Sequence, residues 1–137
     1  MAEPVRASRG LLDTSVIIDI ENINVAHLPR EVAVSSLTMA ELAAGPHATD
    51  DPDERGRRQD RLQRAEAVFE SLAFDAEAAR TYGRIYAAVA AAGRKARGAR
   101  AVDLLVAATA ASQGLPLFTR NGADFEALKG LVQVVVV

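Results

Sequence analysis

The chain has 137 residues, half of them apolar, a formal charge of −2 and no cysteine. That length accommodates one core of ordinary size. Absence of Cys excludes disulfides, thiol catalysis and thiolate zinc sites, and the slightly negative charge excludes a broadly basic nucleic-acid binder, so any cationic surface is local.

Ala is abundant and aromatic residues are few, which suits closely packed helices better than an all-β sandwich. Glu3, Asp13 and Asp19 interrupt the first twenty residues, so no signal peptide is expected. No apolar run reaches the roughly 20 residues of a membrane span. The expectation is a soluble, cytoplasmic protein of one domain, residues 1–137.

After a polar lead-in, Gly10-Leu11-Leu12 reads as a short buried strand that ends at Asp13, with Thr14 and Ser15 beside it. Ser15 to Glu21 suits a short helix, and Asn22 to Arg30 a connection. Val32-Ala33-Val34 is a second strand. Met39 to Ala44 is a helix stopped by Gly45-Pro46, with Thr38 and Glu41 at capping-box spacing. His47 to Asp53 is a loop by composition. Leu62, Ala65, Val68, Phe69 and Leu72 form one apolar stripe on a charged helix, and Ala73-Phe74 suits an edge strand. Ala76 to Ala92 is a long helix with Ala79, Tyr82, Ile85, Tyr86 and Val89 as its buried stripe. A basic glycine-containing loop, GRKARGAR, leads to Asp103, which opens an almost wholly apolar helix ending at Gln113-Gly114. Leu115 to Thr119 is a strand, Asn121-Gly122 a turn, Ala123 to Lys129 a short helix and Val132 to Val137 a last strand. Such alternation predicts a three-layer α/β/α fold with a central, mainly parallel sheet.

Four acids fall at strand-to-helix junctions: Asp13, Glu41, Asp103 and Asp124. In a parallel sheet these junctions share one edge, where open α/β sheets bind ligands. Each acid has an ordinary explanation as a cap or first-turn residue. Together they are harder to dismiss, because Asp13 and Asp103 flank the most apolar segments and buried acids are rare unless paired or metal-bound. Converging carboxylates raise one another's pKa, and a divalent cation removes that penalty. Oxygen ligands point to a hard ion, Mg²⁺ or Mn²⁺. Such an ion activates water and stabilises charge on a phosphodiester. Ser15 and Thr119 are candidates to hold the water or a phosphate oxygen.

The segments GLLDTSVII, TMAELAAG and AVDLLVAATAASQGLPLFTRNGADF resemble the PIN domain, most closely the VapC type, the toxin ribonuclease of toxin–antitoxin pairs. The resemblance runs from Leu11 to the final strand, and the third segment is its most specific part. It implies a PIN-like fold with the first strand central and a metal-dependent endoribonuclease activity. It implies Asp13 and Asp103 as core metal ligands, with Glu41 and Asp124 completing the acidic set and Thr14, Ser15, Thr119 and Asn121 in support. A homodimer and a VapB-type antitoxin that covers the cleft are implied as well. One departure is visible: many relatives carry an acid directly after Thr-Arg, where this chain has Asn121.

Arg94, Lys95, Arg97 and Arg100 precede Asp103 and are the candidates for RNA-backbone contacts. Arg55, Arg57, Arg58, Arg61 and Arg64, interleaved with Asp60 and Glu66, read as a solvated helix face with local ion pairs. His27 and His47 read as surface residues, and Tyr82 and Tyr86 as packing residues. Two other readings differ in class. A phosphatase of the haloacid-dehalogenase type needs a second Asp where Ser15 stands. A PIN-like scaffold that binds RNA or protein without cutting would not need the acids.

Overall fold

The computed structural model describes residues 6–94 and 98–137. Five strands make one sheet: β1 (Arg9–Leu12), β2 (Glu31–Ser35), β3 (Glu70–Leu72), β4 (Leu117–Thr119) and β5 (Val134–Val136). Their order is β3-β2-β1-β4-β5 and every pairing is parallel. Chain order therefore runs outward from β1 in both directions. The switch point lies between β1 and β4, and Asp13 follows the central strand directly, as expected.

The strands sort their side chains by alternation. Leu11 pairs with Leu117 and faces a core shared with Ile85, Val89, Leu104, Val106, Phe125 and Leu128. Leu12 pairs with Val34 and Phe118 and faces the opposite core with Val16, Ile17, Leu42 and Ala65. One layer thus holds α4 (Ala76–Ala91) and α5 (Ala99–Ser112). The other holds α1 (Thr14–Ile18) and α3 (Pro52–Val68), with α2 (Ser36–Ala44) reaching both through Leu37 and Leu42.

Local chemistry fixes the helix starts. Asp13, Ser35, Asp51 and Asp75 are N-caps whose side chains accept from backbone N–H groups of α1, α2, α3 and α4. Pro52 occupies the first turn of α3, where its missing N–H costs nothing. Gly98, with φ +61°, begins α5, and Gly114, with φ +67°, follows it.

Several boundaries depart from expectation. The first helix ends at Ile18, and short 3-10 turns follow at Ile20–Asn22 and Val25–His27. The predicted capping box is absent: Ser35 caps α2, which starts before Thr38, and Thr38 is fully buried. Gly45–Ala48 forms a 3-10 turn, and α3 begins at Pro52, two residues before the charged run. Leu72 belongs to β3, so the edge strand covers Glu70–Leu72 and not Ala73-Phe74. Val68 is 72% exposed, because α3 ends there and the chain turns into β3. On α4 the buried face is Ala78, Thr81, Ile85 and Val89, so Ala79 and Tyr86 face solvent. Helix α5 starts four residues ahead of Asp103, at Ala99. The last strands are shorter than expected, and the segment Gly122–Leu128 is 3-10, not α.

Gly10 is the one strand position where a side chain has no room. A Cβ there would stand 2.5 Å and 2.8 Å from ring carbons of Phe118 and 3.1 Å from Pro29. Phe118 is itself buried and cannot swing away. Gly10→Ala is expected to destabilise the fold by about 1–3 kcal/mol, the usual cost of overpacking. Urea denaturation at neutral pH measures this; an unchanged midpoint would show that the ring relocates freely.

Candidate active site

Asp13 leaves the end of β1 with its side chain 4% exposed. Its backbone N–H donates to Phe118 O at 3.0 Å, continuing the ladder to β4. One carboxylate oxygen, Oδ1, accepts from the Val16 N–H at 3.3 Å and from the Ser15 hydroxyl. Ser15 Oγ in turn accepts from the Arg120 N–H at 3.1 Å. A chain of hydrogen bonds therefore ties β4 to the acid on β1. This leaves Oδ2 of Asp13 with no hydrogen bond among the described residues.

Glu41 reaches the same edge from α2. Thr14 Oγ1 lies 2.6 Å from Glu41 Oε1 and 3.2 Å from Thr38 Oγ1. A hydroxyl has one proton, and the shorter contact, to a charged acceptor, is where Thr14 donates. Glu41 thus acts across α1 and α2, not as the distal half of a capping box.

Asp103 sits one turn into α5, half-buried, in the middle of the set. Burial, then the charges of Asp13, Glu41 and Asp124, push its pKa up to about 6, with Arg100 opposing. All three other predicted acids therefore lie within electrostatic reach of Asp103. Asp124, in the first turn of the segment Gly122–Leu128, faces Arg100 at 3.6 Å. Among the described residues, no three His, Cys, Asp or Glu side chains stand at the spacing of a formed metal site. The arrangement is a gathering of acids, not a closed ligand cage.

The donor set nonetheless fits a hard divalent ion. It consists of carboxylate oxygens only, and burial together with the other three acids makes the charge on Asp103 costly. A cation placed among them removes the repulsion and the desolvation cost together.

The supporting residues sort less uniformly. Ser15 has both its donor and its acceptor engaged within the protein, so it positions Asp13. Thr119 is wholly buried and its Oγ1 accepts the Asn121 N–H at 3.0 Å, so it shapes the turn after β4. Ser15 thus spends its hydroxyl proton on Asp13, and Thr119 lies out of contact with solvent. Asn121 is exposed at the edge. Arg94 donates to Ala123 O at 3.1 Å and braces the segment that carries Asp124. Arg100 stands beside the acids, whereas Lys95 and Arg97 lie outside the described residues.

Thr38, expected as a helix cap, is buried against Thr14 instead. One group escaped the sequence reading. Arg120 pairs with Asp19 at 2.9 Å and donates to the main-chain oxygen of Val137 at 2.7 Å, joining α1, β4 and β5. The only signal for Arg120 was its place immediately after a strand end.

A sequence model of the PIN domain matches residues 10–131. Ribonuclease VapC5 of Mycobacterium tuberculosis is 38% identical over 131 residues, covering 93% of each chain. Ribonuclease VapC8 of the same organism is 40% identical over 111 residues, 74% of this chain and 89% of that protein. The crystal structure of VapBC-5 from M. tuberculosis, a member of the VapBC family of toxin–antitoxin systems, superposes with a TM-score of 0.81 at 38% identity. That match covers 95% of this chain and 98% of the other.

Proposed function

This chain belongs to the PIN-domain family, alongside the VapC ribonucleases, and from that premise we propose that it is a divalent-metal-dependent endoribonuclease, the toxin of a VapBC-type pair. We read residues 1–137 as one PIN unit that works in the cytoplasm, with an RNA substrate and a VapB-type antitoxin as partners. A homodimer, joined by the antitoxin into a higher complex, is the assembly this reading implies. Among the described residues no helix is long and apolar enough to cross a membrane. The observation that carries the reading is the convergence of Asp13, Glu41 and Asp124 on Asp103 at one sheet edge.

Asp13, Glu41, Asp103 and Asp124 are the residues that would hold Mg²⁺ or Mn²⁺. When bound, the ion supplies an activated water and charge stabilisation on the phosphodiester. Asp13 is fixed in place by the Ser15 hydroxyl and the Val16 N–H, both of which donate to its Oδ1. Asp103, whose pKa burial and the other three acids push up to about 6, is the member whose charge a bound cation would relieve most. Thr14 holds Glu41 toward the set. Arg100, beside Asp124, places a cation where phosphate oxygens arrive.

The test is direct. Purified protein incubated with structured RNA is expected to cut it with Mg²⁺ or Mn²⁺ present and to stop on chelation by EDTA. Undiminished cleavage in EDTA would overturn the metal assignment. RNA left intact by a protein that also fails to bind Mn²⁺ would instead favour a PIN-like scaffold.

A further inference from the structure

The basic face of α3 contains one arginine that its neighbours do not use. Arg55 donates to Pro46 O and Thr49 O. Arg57 and Arg58 both bind Glu54, and Arg58 also donates to Gly45 O. Arg64 faces Glu21 at 3.5 Å. These account for a solvated face with local ion pairs, as the sequence suggests. Arg61, half-buried on the same helix, makes no hydrogen bond or ion pair among the described residues.

Its position gives that absence a meaning. A cavity of about 360 Å³ is walled by Thr14, Glu41, Leu42, Glu54, Arg58 and Arg61. It adjoins the acid cluster through Glu41, one of the four acids, and Thr14, which donates to Glu41. A second cavity, of about 280 Å³, continues along α3 past Arg64 and Phe69. Arg61 and Ile18 line both cavities, so they stand where the two meet. Asp60 and Glu21 belong to the far cavity.

We propose that Arg61 binds a backbone phosphate of the RNA strand, next along the chain from the phosphate that the acids act on. The inference rests on the ribonuclease reading and deepens it. A strand lying in the near cavity brings negative phosphates past Glu41 and Glu54. Arg58 is already committed to Glu54, so Arg61 is the cation left to meet them. Its planar guanidinium carries two parallel N–H donors suited to two phosphate oxygens. With no internal partner to give up, Arg61 binds without breaking a contact. Ile18, 53% exposed beside it, offers an apolar wall to the ribose or base of the same nucleotide. The contact is to the backbone and so positions the strand without reading its sequence.

The experiment uses the full chain carrying Asp103→Asn, which retains the strand without cutting it, and a fluorescein-labelled single-stranded RNA of mixed sequence. Anisotropy titrations over a salt series give both Kd and its salt dependence. Adding Arg61→Ala is expected to raise Kd about tenfold and to lower the slope of log Kd against log salt by about 0.7, the value for one phosphate contact on a single strand. Arg61→Lys is expected to keep most of the slope and recover part of the affinity. Arg80→Ala, at an exposed position of α4, serves as the control and is expected to change neither. In the cleaving protein, Arg61→Ala is expected to raise KM with little change in kcat, and its melting temperature is expected to match the parent. Equal Kd and equal slope for Arg61→Ala and its parent would overturn the proposal while leaving the ribonuclease reading intact. RNA binding unchanged, with weakened binding of an acidic peptide of alternating Glu and Leu, would overturn it in favour of a protein contact. Absence of RNA binding in the Asp103→Asn parent, together with absence of cleavage by the wild type, would overturn both.

Discussion

Replacing Asp103 by Asn is expected to reduce RNA cleavage by at least roughly 10²–10³-fold, because the side chain at the centre of the acidic set loses the charge that would hold the ion. The same change is expected to make the metal-free protein more stable. Asp103 is pushed up to about 6 by burial and by Asp13, Glu41 and Asp124, against an ordinary value of 3.8. The folded state thus holds that proton more tightly than the unfolded chain. Between about pH 4 and pH 6 the wild type loses stability as pH rises, and above pH 6 the loss is complete. Asn cannot ionise, so the variant gains roughly 1–2 kcal/mol over wild type at pH 7, the full shift being reduced by solvent screening at a half-buried group. The gain is expected to vanish near pH 4. Adding Mg²⁺ is expected to raise the melting temperature of the wild type and to leave the variant nearly unmoved, since an ion that binds only the folded state stabilises by mass action. Thermal melts of both proteins in EDTA at several pH values, repeated with Mg²⁺, read all of this without any RNA. A variant less stable than wild type in EDTA at pH 7 would show that Asp103 holds the fold together and does not strain it.

That opposition between stability and chemistry explains which features were legible in the chain. Asp13 was readable because a carboxylate at the end of Leu11-Leu12 has no packing rationale. The order of elements was readable because apolar runs alternate with helical stripes, and a parallel sheet then gathers the junctions at one edge. Details within a few residues were not. Thr38 and Glu41 have capping-box spacing, yet Ser35 stands closer to the strand end and takes the cap, which frees Glu41 to meet Thr14. The hydroxyls of Ser15 and Thr119 looked like substrate contacts; Ser15 donates its proton to Asp13, and Thr119 is buried and accepts the Asn121 N–H, an arrangement that depends on turns no periodicity reveals. Leu72 kept helical spacing with Phe69 although the chain had already become a strand. Arg120 finds Asp19 and Val137 across the sheet edge, partners that only the folded topology brings near. Composition therefore locates the acids, while hydrogen-bond competition decides which neighbours serve them.

The weakest mount in the site is that of Asp124, and Phe125 is what secures it. The segment Gly122–Leu128 is 3-10 throughout, has no side-chain cap, and so has little stability of its own. Phe125, 2% exposed, and Leu128, fully buried, pin it to the core formed with Leu11, Ile85, Leu104 and Leu117. Phe125→Ala is expected to cost about 3–5 kcal/mol, from lost apolar burial and the cavity left behind. Against a total of about 5–15 kcal/mol that is a large fraction, and the melting temperature is expected to fall by roughly 10–20 °C. Phe125→Leu, which refills most of the volume, is expected to recover most of the loss. Because Asp124 is the next residue, the loss is not confined to stability. At a temperature where the Ala variant remains folded, its Mg²⁺ affinity is expected to drop about as far as that of Asp124→Asn, since the carboxylate is present but no longer held toward Asp103. Isothermal titration with Mg²⁺ on both variants decides this. A Phe125→Ala protein that melts early yet binds Mg²⁺ like wild type would mean that Arg94 and Arg100, through Ala123 O and the Asp124 carboxylate, hold the segment without the core.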